Sequence, residues 1–313
     1  MRLLSPRTTT LVILAAAIAL LPLVFPSGYY YRVAALAWVS GLAAVGLNVL
    51  MGQAGQVSLG HAGFFGVGAY GVAVGPAHLA LPPLPSALAA AVLCAALAFV
   101  VGRPILRLKG HYLAIATLGL GVLIALVITT ENRWTGGPDG MRVARLQFFG
   151  IRVAGSEVWY WISGAALLAG VWLALNLEHS ATGRAFRALH ESEVAARVVG
   201  VDVARLKLRA FVIAAVYASV AGSILGLMNG FVTPDQAGFL HSVELVTMVV
   251  VGGLGSVAGS VVGAAVLGTL PQVLTVFQEY EHLLLGLVIM LAMIFLRQGL
   301  VPGLAALWPR RRA

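Results

Sequence analysis

The chain has 313 residues, of which 60% are hydrophobic and only 10% are charged. Soluble domains carry about 25% charged residues, so this composition excludes an ordinary soluble protein. It predicts an all-α polytopic membrane protein, because apolar segments recur that are long enough to cross a hydrocarbon core about 30 Å thick. The net charge of +9 could suggest a nucleic-acid partner, but the basic residues lie between the apolar segments, so we expect none.

The apolar segments predict about ten crossings, with eight as the smaller alternative. A segment at 242–277 is too long for one crossing, and its middle, VGGLGSVAGSVVG (Val251 to Gly263), is rich in glycine. We therefore expect two short helices there, with a re-entrant hairpin as the other possibility. The remaining crossings are predicted at 10–25, 33–51, 57–75, 86–102, 111–130, 158–177, 208–230 and 282–296.

The distribution of charge predicts the orientation of the chain. With the amino terminus in the cytoplasm, ten crossings place most of the 20 basic residues on the cytoplasmic side, as membrane proteins prefer. The exception is the outer loop 131–157, which contains four arginines and three acids.

Several kinds of chemistry are missing from the sequence. Lys109 and Lys207 are its only lysines, and neither lies in the Gly-x4-Gly-Lys-Ser/Thr pattern of a P-loop. The histidines lack metal-ligand spacing, and the single cysteine, Cys94, has no partner for a disulfide or a metal pair. We therefore expect no catalytic residues, no cofactor and no metal. We also expect that the chain is not an enzyme in its own right.

Two stretches of the sequence resemble each other weakly. QAGQVSLGHAGFFGVGAYG begins at Gln53, and QAGFLHSVELVTMVVVGG begins at Gln236. In the predicted topology these stretches have opposite orientations, which indicates inverted repeats at 33–130 and 207–297 with a path for a substrate between them. Candidate path residues are Gln53, Gln56, Ser58, His61, Gln236, Ser242 and Glu244; for His61, a structural hydrogen bond to a neighbouring helix is the alternative.

A long polar stretch, HESEVAARVVGVDVARLKLR, runs from His190 to Arg209. It predicts a short helix over Glu191–Val199 outside the bilayer, which ends at Gly200. Asp202 is placed to cap the next helix, which enters the membrane. The stretch belongs to a predicted cytoplasmic loop, 178–206, and a solvated amphipathic turn is its simplest interpretation.

Within this stretch, the pattern Glu-x-Ala-Ala-x3-Gly resembles the EAA motif of ABC importer permeases, although the Ile-x-Leu-Pro part of that motif is missing. The resemblance implies that the helix docks on an ATPase subunit. It assigns this coupling role to Glu193, Ala195, Ala196 and Gly200.

Four further segments, in order, resemble the LivM-type permease family of branched-chain amino acid ABC transporters, over about residues 35–295. The Thr-Gly-Gly-x-x-Gly stretch in the third of them favours the LivM type over the LivH type. The segments are GQAGQVSLGHAGFFGVGAY from Gly52, LKGHYLAIATLGLG from Leu108, ENRWTGGPDGM from Glu131 and MVVVGGLGSVAGSVVGA from Met248.

This resemblance implies a location in the bacterial inner membrane and several partners. They are a LivH-type permease, two cytoplasmic ATPases of the LivG and LivF type, and a periplasmic amino-acid-binding protein. Trp134 to Gly140, in the outer loop, would help to receive the binding protein. An ion-coupled secondary transporter and a non-transport membrane subunit are the alternatives, and urea, amides or aromatic acids are alternative substrates.

Overall fold

The computed structural model describes residues 6–148, 151–274 and 299–307, together with Gly286 and Met290. This part of the chain is mostly helical. Its helices are α1 (Pro6–Leu20), α2 (Gly28–Asn48), α3 (His61–His78), α4 (Pro83–Ile105), α5 (His111–Thr130), α6 (Asn132–Thr135), α7 (Ser156–His179), α8 (Ala181–Glu191), α9 (Glu193–Val198), α10 (Val203–Asn229), α11 (Phe239–Gly252), α12 (Val257–Leu274) and α13 (Leu300–Leu307). Four two-residue strands complete it: β1 (Met141–Arg142), β2 (Gln147–Phe148), β3 (Ile151–Arg152) and β4 (Phe231–Val232).

Six helical segments among the described residues are long and apolar enough to cross a membrane, so the chain is a multi-pass membrane protein. They include α1, α2, α4, α5, α7 and α10, while α11 and α12 contain shorter apolar helices. Six is fewer than the ten crossings expected. The predicted crossing at 282–296 lies outside the described residues except at Gly286 and Met290.

The interior of the bundle is built around α2 and α10. Helix α10 packs against α2, α3 and α4, and α2 also packs against α7 and α12. Small residues make these contacts close: a Cβ atom on Gly222 would lie 1.9 Å from the carbonyl oxygen of Phe65, and one on Gly263 would lie 2.0 Å from that of Met248. Close backbone approach of this kind is how helices pack in a lipid environment, where burial of apolar surface gives little net gain.

The two ends of the bundle differ in structure. At one end, here called the α8/α9 end, His190 of α8 lies beside Gly55, and Lys109 faces Glu193 of α9. At the other, here called the strand end, β1 pairs with β4 in antiparallel register. The ring of His78, the last residue of α3, lies 5.0 Å from that of Trp134 there.

Two long helices are each followed by a break and a shorter helix. Helix α2 ends in a π-helical turn at Val49–Gln53, and non-helical chain leads from the α8/α9 end to α3. In the same way, α10 ends at Asn229, and β4 with a 3-10 turn at Pro234–Ala237 leads from the strand end to α11. Helix α3 runs towards the strand end, whereas α11 runs towards the α8/α9 end, where Gly255 of the turn that follows it lies beside Gly52.

Several predicted boundaries were wrong. The crossing at 57–75 begins only at His61, because residues 54–60 form non-helical chain with a positive φ of 67° at Gly55. The helix expected over Glu191–Val199 is divided at Ser192, whose side chain caps the shorter α9. By contrast, the segment 242–277 is divided as expected, at a turn where Gly253 and Gly255 have positive φ.

Candidate functional site

The two breaks meet inside the bundle. The backbone N–H of Ala62, in the first turn of α3, donates to the hydroxyl of Ser242 on α11 at 3.0 Å. The N–H of Leu59 donates to the hydroxyl of Thr117 on α5 at 3.2 Å. The first N–H groups of a helix have no partner within that helix, so side chains from two other helices satisfy the backbone where α3 begins.

His61 lies at this junction. Its Nδ1 is 3.2 Å from the hydroxyl of Ser58, and its ring makes edge contacts with Phe64 and Phe211. The side chain is fully buried, and its Nε2 has no hydrogen-bond partner among the described residues. The junction therefore brings together three predicted path residues, Ser58, His61 and Ser242.

The other predicted path residues lie apart from this group. Gln56 is buried and donates to the carbonyl of Ala54 at 3.0 Å. Gln53 is 4% exposed, and neither atom of its amide has a partner in the described part of the chain. It lines a cavity of about 230 Å³ at the α8/α9 end, together with Glu178 and His190.

On the second segment, Gln236 lies in the 3-10 turn before α11 and is partly buried. Glu244 is 62% exposed and lies 3.2 Å from Nδ1 of His241. Exposed apolar side chains surround it on α11, including Leu240 and Val243. A carboxylate on such a face avoids hydrocarbon only where the face meets water or another protein.

Asn48 is a structural residue that the sequence analysis missed. Its side-chain amide donates to the carbonyl of Ser256 at 2.8 Å, and its Oδ1 accepts from the N–H of Gly255 at 2.9 Å. These bonds hold the turn between α11 and α12 against the end of α2. The signal was present, since a lone amide at the end of an apolar helix needs a buried partner.

The polar stretch contains a second group of interacting residues, centred on Glu193. The amine of Lys207, which is only 3% exposed, donates to Oε1 of Glu193. The other carboxylate oxygen lies 3.8 Å from Nζ of Lys109 and 3.9 Å from a guanidinium nitrogen of Arg197. Glu193 therefore connects α9 to α10 and to the loop between α4 and α5.

The ends of α9 are well defined. Ser192 caps its first turn by accepting from the N–H of Ala195, and Gly200 follows its last turn with a φ of 82°. The N–H groups of Gly200 and Val201 donate to the carbonyls of Arg197 and Ala196, which is a Schellman motif.

Opposite sides of α9 have different surroundings. Ala196 is buried, whereas Val194 and Val198 are 70% and 81% exposed, and Ala195 is exposed as well. Asp202 caps α10 as predicted, through the N–H of Arg205.

The predicted receiving loop, Trp134 to Gly140, lies at the strand end. The Thr135 hydroxyl donates to the carbonyls of Ile128 and Glu131, and Gly136, Gly137 and Gly140 all have positive φ. Trp134 is 45% exposed beside His78. The loop is therefore a compact structure that leaves one large aromatic ring accessible.

The long apolar helices, the paired breaks and the polar helix between α8 and α10 define a helical membrane permease. Residues 29–293 match the family described as branched-chain amino acid transport system / permease component. The chain belongs to this family.

Individual relatives agree with the family assignment. The high-affinity branched-chain amino acid transport system permease protein LivM of Escherichia coli K12 is 34% identical over 86% of this chain and 69% of its own length. LivM of Salmonella typhimurium is also 34% identical, over 82% of this chain and 66% of its own length. The permease LivH of E. coli K12 is 24% identical, over 77% of this chain and 83% of its own. No solved structure matches the chain.

We expect Glu193→Gln to lower the stability of the chain by about 1–3 kcal/mol, because it leaves the buried amine of Lys207 without a carboxylate. This range is below the 3–5 kcal/mol of a fully buried pair, since Glu193 is 22% exposed. Lys207→Met should lower the stability by less, because Lys109 and Arg197 still face the carboxylate of Glu193. The double variant should recover much of the loss. Thermal denaturation in detergent measures all three.

Asp202→Asn provides the matched control. It removes the carboxylate from an exposed ion pair with Arg205 but retains a side chain that can cap α10. Its melting temperature should stay close to that of the unmodified chain. A double variant whose loss equals the sum of the two single losses would contradict the pairing.

Proposed function

We propose that the chain is a permease subunit of an ATP-binding-cassette importer that moves branched-chain amino acids across the inner membrane. The family match and the branched-chain amino acid transport systems of the LivM relatives support this substrate class. Urea, amides or aromatic acids remain the alternative substrates, because in this family selection rests largely with the binding protein. The proposed partners are a LivH-type permease, two ATPases of the LivG and LivF type, and a periplasmic amino-acid-binding protein.

The proposed orientation puts the α8/α9 end in the cytoplasm. Basic residues around α8, α9 and the loop from 106 to 110 support it, because cytoplasmic loops carry an excess of lysine and arginine. The strand end then faces the periplasm, where Trp134 to Gly140 would receive the binding protein. The same proposal includes a total of ten crossings. It also divides the chain into a first repeat at 33–130, a cytoplasmic loop at 178–206 and a second repeat at 207–297.

The observation that carries the coupling role is the two-sided environment of α9. Glu193 and Ala196 hold it against the membrane helices, while Val194, Ala195 and Val198 leave an apolar surface exposed. We assign this surface to the ATPase. Because Gly200 and Asp202 join α9 directly to α10, a displacement of α9 would reach the helix that packs against α2, α3 and α4.

The proposed path runs along the junction of the two breaks. The sequence similarity between the segments at Gln53 and Gln236, and the opposite directions of α3 and α11, support inverted repeats that meet at Ala62 and Ser242. Ser58, His61 and Ser242 would hold the junction, and Gln236 and Glu244 would lie on the substrate side. Gln53 and Gln56 would lie at its cytoplasmic end.

The function is tested in proteoliposomes that contain this chain with the four proposed partners. We expect uptake of radiolabelled leucine to rise at least tenfold when ATP is supplied on the side of α9. A proton gradient without ATP should give no uptake, because the described spans provide no buried carboxylate to carry a proton or cation.

A non-hydrolysable ATP analogue is the control for this experiment. An excess of urea, an amide or an aromatic acid, added one at a time, tests the alternative substrates by competition. Uptake that a proton gradient alone sustains would identify an ion-coupled secondary transporter and refute the proposal.

The coupling surface is tested by Val194→Asp. An aspartate in the first turn of α9 suits the helix dipole, so the helix should remain folded while its apolar contact with the ATPase is lost. We expect ATPase subunits that co-purify with the chain to fall at least tenfold. Leu79→Asp introduces the same charge at an exposed apolar residue, 58% against 70%, in the chain between α3 and α4 at the strand end, and should have no effect on co-purification. Equal loss in both variants would contradict the assignment.

The path is tested by the accessibility of introduced cysteines. Cys94 is fully buried, so it should contribute little reaction. In the assembled complex, we expect the cysteine of Glu244→Cys to react with a charged, membrane-impermeant thiol reagent, and leucine with the binding protein should slow the reaction. Leu93→Cys, at an exposed apolar position on α4, is the control. Equal rates at the two positions would exclude Glu244 from an aqueous path.

A further inference from the structure

A large cleft opens at the α8/α9 end, between α4, α9 and α10. Its volume is about 940 Å³, within the range of ligand-binding pockets. Seven of its lining residues are lysine or arginine, among them Arg103, Arg107 and Arg209. Among the residues that the structure describes, Glu193 is the only acidic one that lines it.

The positive charge of this cleft is mostly uncompensated. The carboxylate of Glu193 is occupied by Lys207 and faces Lys109 and Arg197. Within the described residues, no carboxylate forms an ion pair with Arg103, Arg107 or Arg209, although a carboxylate of Asp202 does pair with Arg205. The cleft therefore has several cationic groups available for an anionic ligand.

The inner wall of the cleft is apolar. Phe99 of α4 and Leu208, Val212 and Ile213 of α10 form much of it. The guanidinium carbon of Arg103 lies 4.2 Å from the centre of the Phe99 ring. A ligand that fits both surfaces has an anionic group next to an apolar body.

The apolar wall continues along the outside of α4. Leu88, Val92, Phe99 and Arg103 are exposed and fall on one face of the helix at spacings of four, seven and four residues. The distance from Leu88 to Phe99 is about 16 Å at 1.5 Å per residue, which is about half of a 30 Å hydrocarbon core. An acyl chain of one leaflet can therefore lie along this face while its headgroup reaches the arginines.

We propose that this cleft binds the headgroup of an anionic phospholipid from the inner leaflet, with an acyl chain against the exposed face of α4. Basic pockets between membrane helices on the cytoplasmic side suit such headgroups. Free phosphate shares the anionic chemistry but makes no use of the apolar wall. An acidic protein segment would use the charged rim but not the apolar face of α4.

The lipid would contact α9 as well as the membrane helices, because Glu193 and Arg197 line the cleft. The bound lipid would then help to set the position of α9. Only this consequence rests on the proposed coupling role, since lipid binding itself does not depend on transport.

Native mass spectrometry of the full chain, purified in neutral detergent with the subunits that accompany it, tests the proposal. Phosphatidylglycerol and phosphatidylcholine are the probes, and inorganic phosphate is added as a competitor. We expect a clear preference for phosphatidylglycerol that phosphate does not remove. Arg103→Gln with Arg107→Gln should weaken that binding by about tenfold to thirtyfold, on the scale of each basic residue near an anionic surface.

The control is Arg184→Gln with Arg187→Gln. It removes the same charge from exposed arginines of α8 at the same end of the bundle, which do not line the cleft. It should leave phosphatidylglycerol binding unchanged, and melting temperatures confirm that both double variants are folded.

Four results would overturn the proposal. They are equal retention of the two lipids, equal weakening in both double variants, displacement of phosphatidylglycerol by phosphate, and loss of co-purifying ATPases from the Arg103/Arg107 variant with lipid binding intact. The last would indicate an acidic protein as the occupant. Failure of leucine uptake has no bearing on these outcomes, so the two proposals can fail separately.

Discussion

A backbone N–H or C=O group in hydrocarbon must find a partner within the protein, because lipid offers none. This constraint determines where the chain can leave the helical conformation. The break before α3 is possible because Thr117 and Ser242 accept from the N–H groups of Leu59 and Ala62. The turn between α11 and α12 is possible because Asn48 bonds both Gly255 and Ser256. Both of these irregular segments therefore depend on a polar side chain supplied by another helix.

The same dependence explains why the centre of the bundle is tightly packed. A side chain as short as serine reaches a backbone N–H on another helix only where the two backbones are close. Glycine provides that closeness: Gly222 lies against the carbonyl of Phe65, and Gly68 lies against that of Ser219. Ser223 then donates to the carbonyl of Gly68 at 3.0 Å. Small residues and polar contacts thus support each other along the α3–α10 interface.

The sequence predicts the helical class, most of the long helices and the division near Gly253, because these follow from local composition. Helix α5 has the predicted limits, 111–130. The late start of α3 was not predictable, since residues 57–60 are apolar enough to continue a helix. Their conformation depends on Thr117 and Ser242, which are distant in sequence.

The same distinction applies to the candidate site: residues in a local sequence pattern were predictable, and their distant partners were not. Gly200 was identifiable because a glycine after the last turn marks the end of a helix, and Glu193 because it belongs to the pattern that resembles the EAA motif. The partner of Glu193 was not, because Lys207 is separated from it by the Schellman turn and the cap of α10. Thr117 carried no local signal, because it matters only through a contact made by folding. The pair of His241 and Glu244, by contrast, follows from their spacing of three residues on α11.

The position of Glu193 has consequences on both sides of α9. A buried amine needs its carboxylate, so the Lys207 pair resists separation of α9 from α10. The Schellman turn at Gly200 and the cap at Asp202 make the connection between α9 and α10 short and well ordered. A force on the exposed valines of α9 would therefore move α10 with it, and α10 is the helix whose glycines pack against α3, where the two breaks meet. The short connection between the exposed surface of α9 and the centre of the bundle is thus a property of the packing, whatever the substrate.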